Sequence, residues 1–207
     1  MTNEKLNNII TSTIEYYNKN ADRFIEETAT VDFTAIQEMF LSLLPPGGRI
    51  LDFGCGSGRD TLAFLKRGYQ ADATDGSTEM CKLAAEYTGI PVRQMQFQEL
   101  SVREQYDGIW ACASILHLPE NELKNVMNQM EAALNRCGSI YTSFKYGTFA
   151  GERNGRYFTD FTEESFEAFV KQIKGLKIKK MWITEDVRVG RKKEKWLNII
   201  MQKQTIS

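Results

Sequence analysis

One histidine and four cysteines are too few and too scattered to build a zinc site in this chain. Cys55, Cys81, Cys112 and Cys137 form no C-x-x-C pair, and His117 stands alone. The cysteines read instead as small buried apolar residues in a reducing compartment. Long hydrophobic runs are missing too. Stretches such as Ile109–Ala113 fall far short of the ~20 residues that cross a bilayer. Met1-Thr2-Asn3-Glu4-Lys5 starts no signal peptide, so a cytoplasmic chain without membrane contact is expected. Excess charge of either sign is absent: 26 Lys and Arg against 27 Asp and Glu leave a net charge of −1. That gives no global attraction to nucleic acid or anionic lipid. There is also no obvious carboxylate and histidine set for a catalytic metal, so none is expected.

What is present suits one globular unit of 207 residues, 42% hydrophobic and 26% charged. Residues 1–46 read as an N-terminal helical flank and 47–207 as an α/β core. Leu6, Ile9, Ile10, Thr13, Ile14 and Tyr17 recur at helical spacing. A second helix reads from Asp32, a plausible N-cap, to Leu44, where Pro45-Pro46-Gly47-Gly48 ends it. From Arg49 strands and helices alternate: strand 49–53, helix 59–67, strand 70–74, helix 77–87, strands 92–97 and 106–112, helix 119–135, strand 138–145. Alternation implies a Rossmann-like, mostly parallel sheet with helices on both faces. After a polar loop over 146–160, Thr162 caps a helix ending at Gly175, and strands 177–184 and 195–202 close the chain.

The chemistry is concentrated at Ile50-Leu-Asp-Phe-Gly-Cys-Gly-Ser-Gly-Arg-Asp60, a short apolar strand running into a loop with glycine at every second position. Glycine tolerates positive φ and has no Cβ to block a ligand, so such a loop suits a nucleoside-type cofactor. A dinucleotide fingerprint needs a glycine where this chain has Arg59. The G-x-G-x-G spacing of Gly54, Gly56 and Gly58 instead suits a cofactor lacking a pyrophosphate. Asp75, at the end of the second strand before Gly76, is placed to accept hydrogen bonds from ribose hydroxyls.

Asp52-Phe-Gly-Cys-Gly-Ser-Gly, Asp75 twenty-three positions later, the strand Asp107-Gly-Ile-Trp-Ala-Cys-Ala and the segment after Ile115-Leu-His-Leu-Pro together resemble class I S-adenosylmethionine-dependent methyltransferases. Within that family the sequence is most similar to small bacterial enzymes of the tellurite-resistance and methyltransferase-domain type. The resemblance implies a seven-stranded sheet with the last strand antiparallel and S-adenosylmethionine as methyl donor. Carried over by position, Gly54, Cys55, Gly56 and Gly58 look like the cofactor loop, ordered by Asp52, and Asp75 and Gly76 like the ribose site. Gln98 and Glu99 fall in the segment that usually meets the adenine, and Ala111 and Cys112 beneath the methionine portion. Tyr17 resembles a residue folded over the cofactor, Arg23 is a candidate partner for its carboxylate, and Arg59 is either a second such partner or only a solvated residue. Tyr17 reads equally well as part of a core stripe.

His117, just past the fourth strand, is the candidate general base, or a residue that only shapes the pocket. Lys145, Tyr146, Arg153, Arg156 and Tyr157, in and after the fifth strand, are candidate acceptor contacts, and the segment reads equally well as a solvated linker. The Arg188, Arg191, Lys192, Lys193, Lys195 cluster reads as an exposed turn. The leading expectation is metal-independent methyl transfer to a small molecule. The alternatives are an RNA or protein methyltransferase, a non-catalytic S-adenosylmethionine-binding protein, or a nicotinamide-dependent enzyme.

Overall fold

The computed structural model describes residues 2–188, 190–191 and 193–204. Helices α1 (Asn3–Lys19), α2 (Ala21–Thr28) and α3 (Thr34–Leu41) precede β1 (Arg49–Phe53), α4 (Arg59–Lys66), β2 (Gln70–Asp75), α5 (Thr78–Thr88) and β3 (Val92–Gln94). Then follow β4 (Tyr106–Ala111), α6 (Glu120–Ala133), β5 (Leu134–Lys145), β6 (Ala150–Arg153), β7 (Arg156–Thr159), α7 (Glu163–Val170), β8 (Leu176–Glu185) and β9 (Lys195–Lys203). Short 3-10 turns cover Phe97–Glu99 and Ile115–His117.

Seven strands form one sheet in the order β3-β2-β1-β4-β5-β9-β8. The pairs among β1 to β5 are parallel, and the last strand, β9, runs antiparallel between β5 and β8. This is the expected Rossmann-like, mostly parallel sheet with its last strand antiparallel. Its two faces follow from alternation along the strands. Leu51, Phe53, Ile109 and Ile140 face a core shared with α6 and α7, while Ile50, Trp110, Tyr141 and Ile200 face one built with Phe40 of α3 and Phe64 of α4. Because the order reverses between β1 and β4, their C-terminal ends open a crevice, the place where open α/β sheets bind ligands.

Local signals behave unevenly. Thr162 caps α7 as expected, closing a capping box with Ser165. Asp32 is not the N-cap: that position is Phe33, without a side-chain cap, and Asp32 Oδ1 accepts the Thr34 N–H at 2.9 Å from one residue further out; α3 also ends at Leu41, short of Leu44. Four further expectations are corrected. Residues 92–97 are not one strand: β3 stops at Gln94, before the 3-10 turn. Helix α7 ends at Val170 and not at Gly175, since single-turn bonds such as Ile173 N–H to Val170 O take over. Helix α2 was not expected, although Ala21, Phe24, Ile25 and Thr28 recur at helical spacing; at eight residues its stripe is two turns long, too short to stand out from the longer pattern of α1. The polar loop over 146–160 contains the β6–β7 hairpin, whose Asn154-Gly155 turn has φ of +52° and +75°. Asn-Gly is the favoured pair for such a turn. The cysteines also divide: Cys55 and Cys81 are buried, whereas Cys112 is half-buried and Cys137 is exposed. No described helix is long and apolar enough to cross a membrane.

Candidate functional site

The crevice begins at the loop between β1 and α4. Gly54, Gly56 and Gly58 all adopt positive φ, at +83°, +52° and +75°. A Cβ on Gly54 would stand 2.5 Å from Ser114 Cβ, and one on Gly58 2.6 Å from Thr88 Cγ2. Conformation and close approach therefore both demand glycine. The loop is fastened to β2: Gly54 and Cys55 donate their N–H groups to Thr74 O, both at 2.9 Å. Asp75 completes the clasp, its carboxylate accepting from Gly56 N at 3.0 Å and Ser77 N at 2.9 Å. Burial raises its pKa, and the N–H donors pull back in the other direction.

Beneath the loop lies a buried polar network. Asp60, at the start of α4, is gripped by Arg59 Nε at 2.9 Å and Nη2 at 2.7 Å. Asp60 also accepts from Trp110 Nε1 at 2.8 Å and Gln37 Nε2 at 2.6 Å. Burial disfavours the Arg59 charge, but Asp60 outweighs it and keeps the guanidinium protonated. The Arg59 guanidinium also lies 4.0 Å over the Phe33 ring. Asp52, nearby, accepts from Thr61 Oγ1 at 2.5 Å. Burial first, and the neighbouring Asp60 carboxylate second, push the Asp52 pKa well above the ordinary carboxylate range. Burial drives the Cys112 thiol up to about 12, so it is no nucleophile at neutral pH.

Across the crevice α1, the turn at His117 and the β6–β7 hairpin meet. His117 Nδ1 lies 2.7 Å from Tyr157 O, and Nε2 lies 2.8 Å from Tyr17 Oη. A carbonyl only accepts, so Nδ1 carries the proton and Nε2 accepts the Tyr17 O–H. Arg156 Nη1 in turn donates to Tyr17 Oη at 3.2 Å. Burial lowers the His117 pKa to about 3. With its one lone pair engaged and so low a pKa, His117 is a weak proton acceptor that orients Tyr17. The folded state therefore binds fewer protons than the unfolded chain between pH of about 3 and 6.5, so stability falls as pH drops through that window. An NMR titration of the His117 ring should show no protonation between pH 8 and 5, and an inflection near 6.5 would refute this.

These parts enclose a cleft of about 710 Å³, within the roughly 300–1,000 Å³ of ordinary small-molecule sites. Of the expected residues, Tyr17, Asp52, Gly54, Cys55, Gly56, Arg59, Asp75, Gly76, Cys112, His117, Lys145, Tyr146, Arg153 and Arg156 line it. Six do not. Arg23 projects from α2 into solvent beside Glu27 at 3.7 Å. Gly58 faces Thr88 and Ala84 on α5. Gln98 does not line the cleft, its side-chain amide being buried without a partner among the described residues, and the Glu99 carboxylate accepts the Gln96 N–H at 2.6 Å. Phe97 lines that part of the cleft instead, its ring edge-on to Phe53 at 4.9 Å. Ala111 is fully buried in the core, and Tyr157 offers only its carbonyl, to His117.

The basic turn is also more than an exposed loop. Arg188 is locked to Asp186, with Nε at 2.9 Å and Nη2 at 2.5 Å, and Arg191 reaches Glu27 on α2 at 3.6 Å. Both line the cleft. Lys192 lies outside the described residues. Sequence reading missed Phe24 and Phe158, which also line the cleft. Phe24 falls on the unread helix and Phe158 on the unread hairpin.

Residues 50–138, from the glycine loop through β4 and α6, match the family described as "Methyltransferase domain". Over that stretch the chain is similar to methyltransferase domains. A search of curated proteins gives no match. Among solved structures, the Burkholderia thailandensis 1,6-didemethyltoxoflavin-N1-methyltransferase, bound to 1,6-didemethyltoxoflavin and S-adenosylhomocysteine, is 19% identical with a TM-score of 0.77. That match covers 98% of this chain and 90% of that one. Magnesium protoporphyrin IX methyltransferase from Synechocystis PCC 6803, with bound S-adenosylhomocysteine, is 17% identical with a TM-score of 0.69, over 92% and 98% of the two chains. The [4+2]-cyclase SpnF is 14% identical with a TM-score of 0.70, over 93% and 95%. One architecture thus hosts different reactions, and the likeness speaks for the fold.

Proposed function

We propose that this chain transfers a methyl group from S-adenosylmethionine to a small-molecule acceptor, without a metal. The observation that carries the reading is the cradle of Gly54 and Gly56, closed at its far end by the buried Asp75 carboxylate. The chemistry of this donor set fits the cofactor. Asp75 suits a ribose diol, and Phe97 gives an apolar wall for a purine. Gly54 and Gly56 let backbone approach where a side chain would intrude, and Asp52 and Arg59 offer a carboxyl group and guanidinium N–H donors toward an amino-acid portion.

When bound, S-adenosylmethionine supplies a methyl on a sulfonium, whose thioether leaves without acid assistance. The chain's part is then positioning and exclusion of water. Tyr17, held by His117 and Arg156, forms one wall, and Phe24 and Phe158 make the surroundings apolar. His117 is assigned to orienting Tyr17, so an acceptor that must lose a proton does so to a group of its own or after methylation, once the product is released to solvent. The small-molecule reading rests on a cleft roofed by the hairpin and the basic turn. Two of the cations in that turn are paired, Arg188 with Asp186 and Arg191 with Glu27, and the chain as a whole carries no excess positive charge for nucleic acid.

Calorimetry with S-adenosylhomocysteine and with NAD tests the donor. We expect binding of the former in the micromolar range or tighter and no heat from NAD; silence with S-adenosylhomocysteine would sink the reading. A metabolite screen for acceptor-dependent S-adenosylhomocysteine release then addresses the substrate class.

A further inference from the structure

The cations that reach the cleft are not equivalent. Arg59 is paired with Asp60, Arg153 with Asp160 at 2.8 Å, Arg188 with Asp186, and Lys145 with Asp186 and Glu194. Arg191 meets Glu27, while Lys193 and Lys195 are exposed to water. Arg156 is half-buried on β7 and has no carboxylate within ion-pairing distance among the described residues. Its guanidinium lies 4.0 Å over the Tyr16 ring, and Nη1 is spent on Tyr17 Oη. Its Nε is shut off from water and meets no acceptor among the described residues. Nη2, on the same edge of the guanidinium, makes no hydrogen bond to them either.

We infer that the methyl acceptor is a small organic carboxylate, seated through its two oxygens on the Nε–Nη2 edge of Arg156. This rests on the methyltransferase reading above and deepens it. That edge presents two parallel N–H donors at the spacing of a carboxylate, the geometry for which arginine is suited and lysine is not. A buried donor without an acceptor is costly, and a carboxylate oxygen that reaches Nε by displacing the side chains covering it relieves that cost. One uncompensated guanidinium matches one negative charge, which favours a carboxylate over a phosphate dianion.

The groups around it are neutral and ring-bearing. Tyr17 is protonated, with burial raising its pKa, His117 is uncharged, and Phe158 lies 5.2 Å below the guanidinium. The site therefore takes an apolar, preferably aromatic, body carrying a single anionic end. Arg156 contacts residues of α1 and β7 and none of the glycine loop, which assigns it to the acceptor side. Arg153, the other hairpin arginine, is neutralised by Asp160 and lies over Phe149 at 4.3 Å, so it braces the hairpin.

The test uses benzoate as the probe, titrated calorimetrically into protein already saturated with S-adenosylhomocysteine, with inorganic phosphate and benzyl alcohol alongside. Benzoate should bind at least tenfold more tightly than either comparison ligand. Arg156→Gln should lose at least tenfold in benzoate affinity, and Arg156→Lys should lie between, keeping the charge without the fork. Both variants should hold S-adenosylhomocysteine within about twofold of the unaltered protein, which also reports that they fold. Equal benzoate affinity in Arg156→Gln, no benzoate binding by the unaltered protein, or a preference for phosphate overturns the inference while the donor reading stands. Loss of S-adenosylhomocysteine binding in the variants alone overturns it by moving Arg156 to the donor side. Absence of S-adenosylhomocysteine binding in the unaltered protein fails the methyltransferase reading itself, and the inference falls with it.

Discussion

Replacing Asp75 by Ala should weaken S-adenosylhomocysteine binding on the order of a hundredfold, because one carboxylate does two jobs. It accepts the Gly56 and Ser77 N–H groups, which fixes the glycine loop against β2, and it is assigned the ribose hydroxyls. Hydrogen bonds to a charged acceptor are worth about 1.5–3 kcal/mol each, so losing two reaches the factor of a hundred without invoking the loop. Asp75→Asn isolates part of this: shape is kept, but one acceptor becomes a donor facing a backbone N–H. Its affinity should fall at least tenfold. Since burial raises the Asp75 pKa, binding should also weaken as pH falls, beginning above the ordinary carboxylate range, because the protonated acid accepts fewer hydrogen bonds. Calorimetry across pH checks both effects, and an unchanged affinity in Asp75→Ala would remove the ribose assignment.

The parts of this site that were legible in the sequence are those where backbone chemistry restricts residue choice. Only glycine serves at Gly54, where φ is positive and Ser114 crowds the missing Cβ, and only an acid at Asp75 can accept two N–H groups and still face the cleft. Strand alternation was equally readable, since Ile50 and Leu51 must point to opposite cores. The acceptor side was less legible because its residues converge from distant segments. Tyr17, His117 and Arg156 are joined by contacts spanning about a hundred residues or more, and nothing local in any of them announces the others. Phe97 carries no local signal of its role: an aromatic residue beside the polar Gln98 and Glu99 reads as core, whereas here it lines the cleft. The hairpin could have been found, since Asn154-Gly155 sits between residues of β-type pattern. Its strands are short and half-exposed, so periodicity alone did not mark them.

Asp60→Ala should cost about 3–5 kcal/mol of folding stability, the range found when one member of a buried ion pair is removed. Asp60 is 6% exposed and accepts four hydrogen bonds, from Arg59 twice, from Trp110 and from Gln37. Its loss leaves the Arg59 charge in a largely enclosed position and strands the indole N–H of Trp110, a side chain at the centre of the core shared by α3 and α4. The same substitution should alter the pH dependence of stability, and the sign follows from Asp52. Burial and the Asp60 charge hold the Asp52 carboxyl protonated beyond its ordinary range, so the folded state binds the extra proton there. Stability from this group is full below the unfolded carboxylate pKa and declines as pH rises through the raised folded value. Removing the Asp60 charge lowers that folded value, so the decline should shrink in Asp60→Asn, the variant that keeps shape. Denaturant midpoints measured from pH 5 to 9 test this. If Asp60→Asn declines as steeply as the unaltered protein, Asp60 does not set the protonation of Asp52.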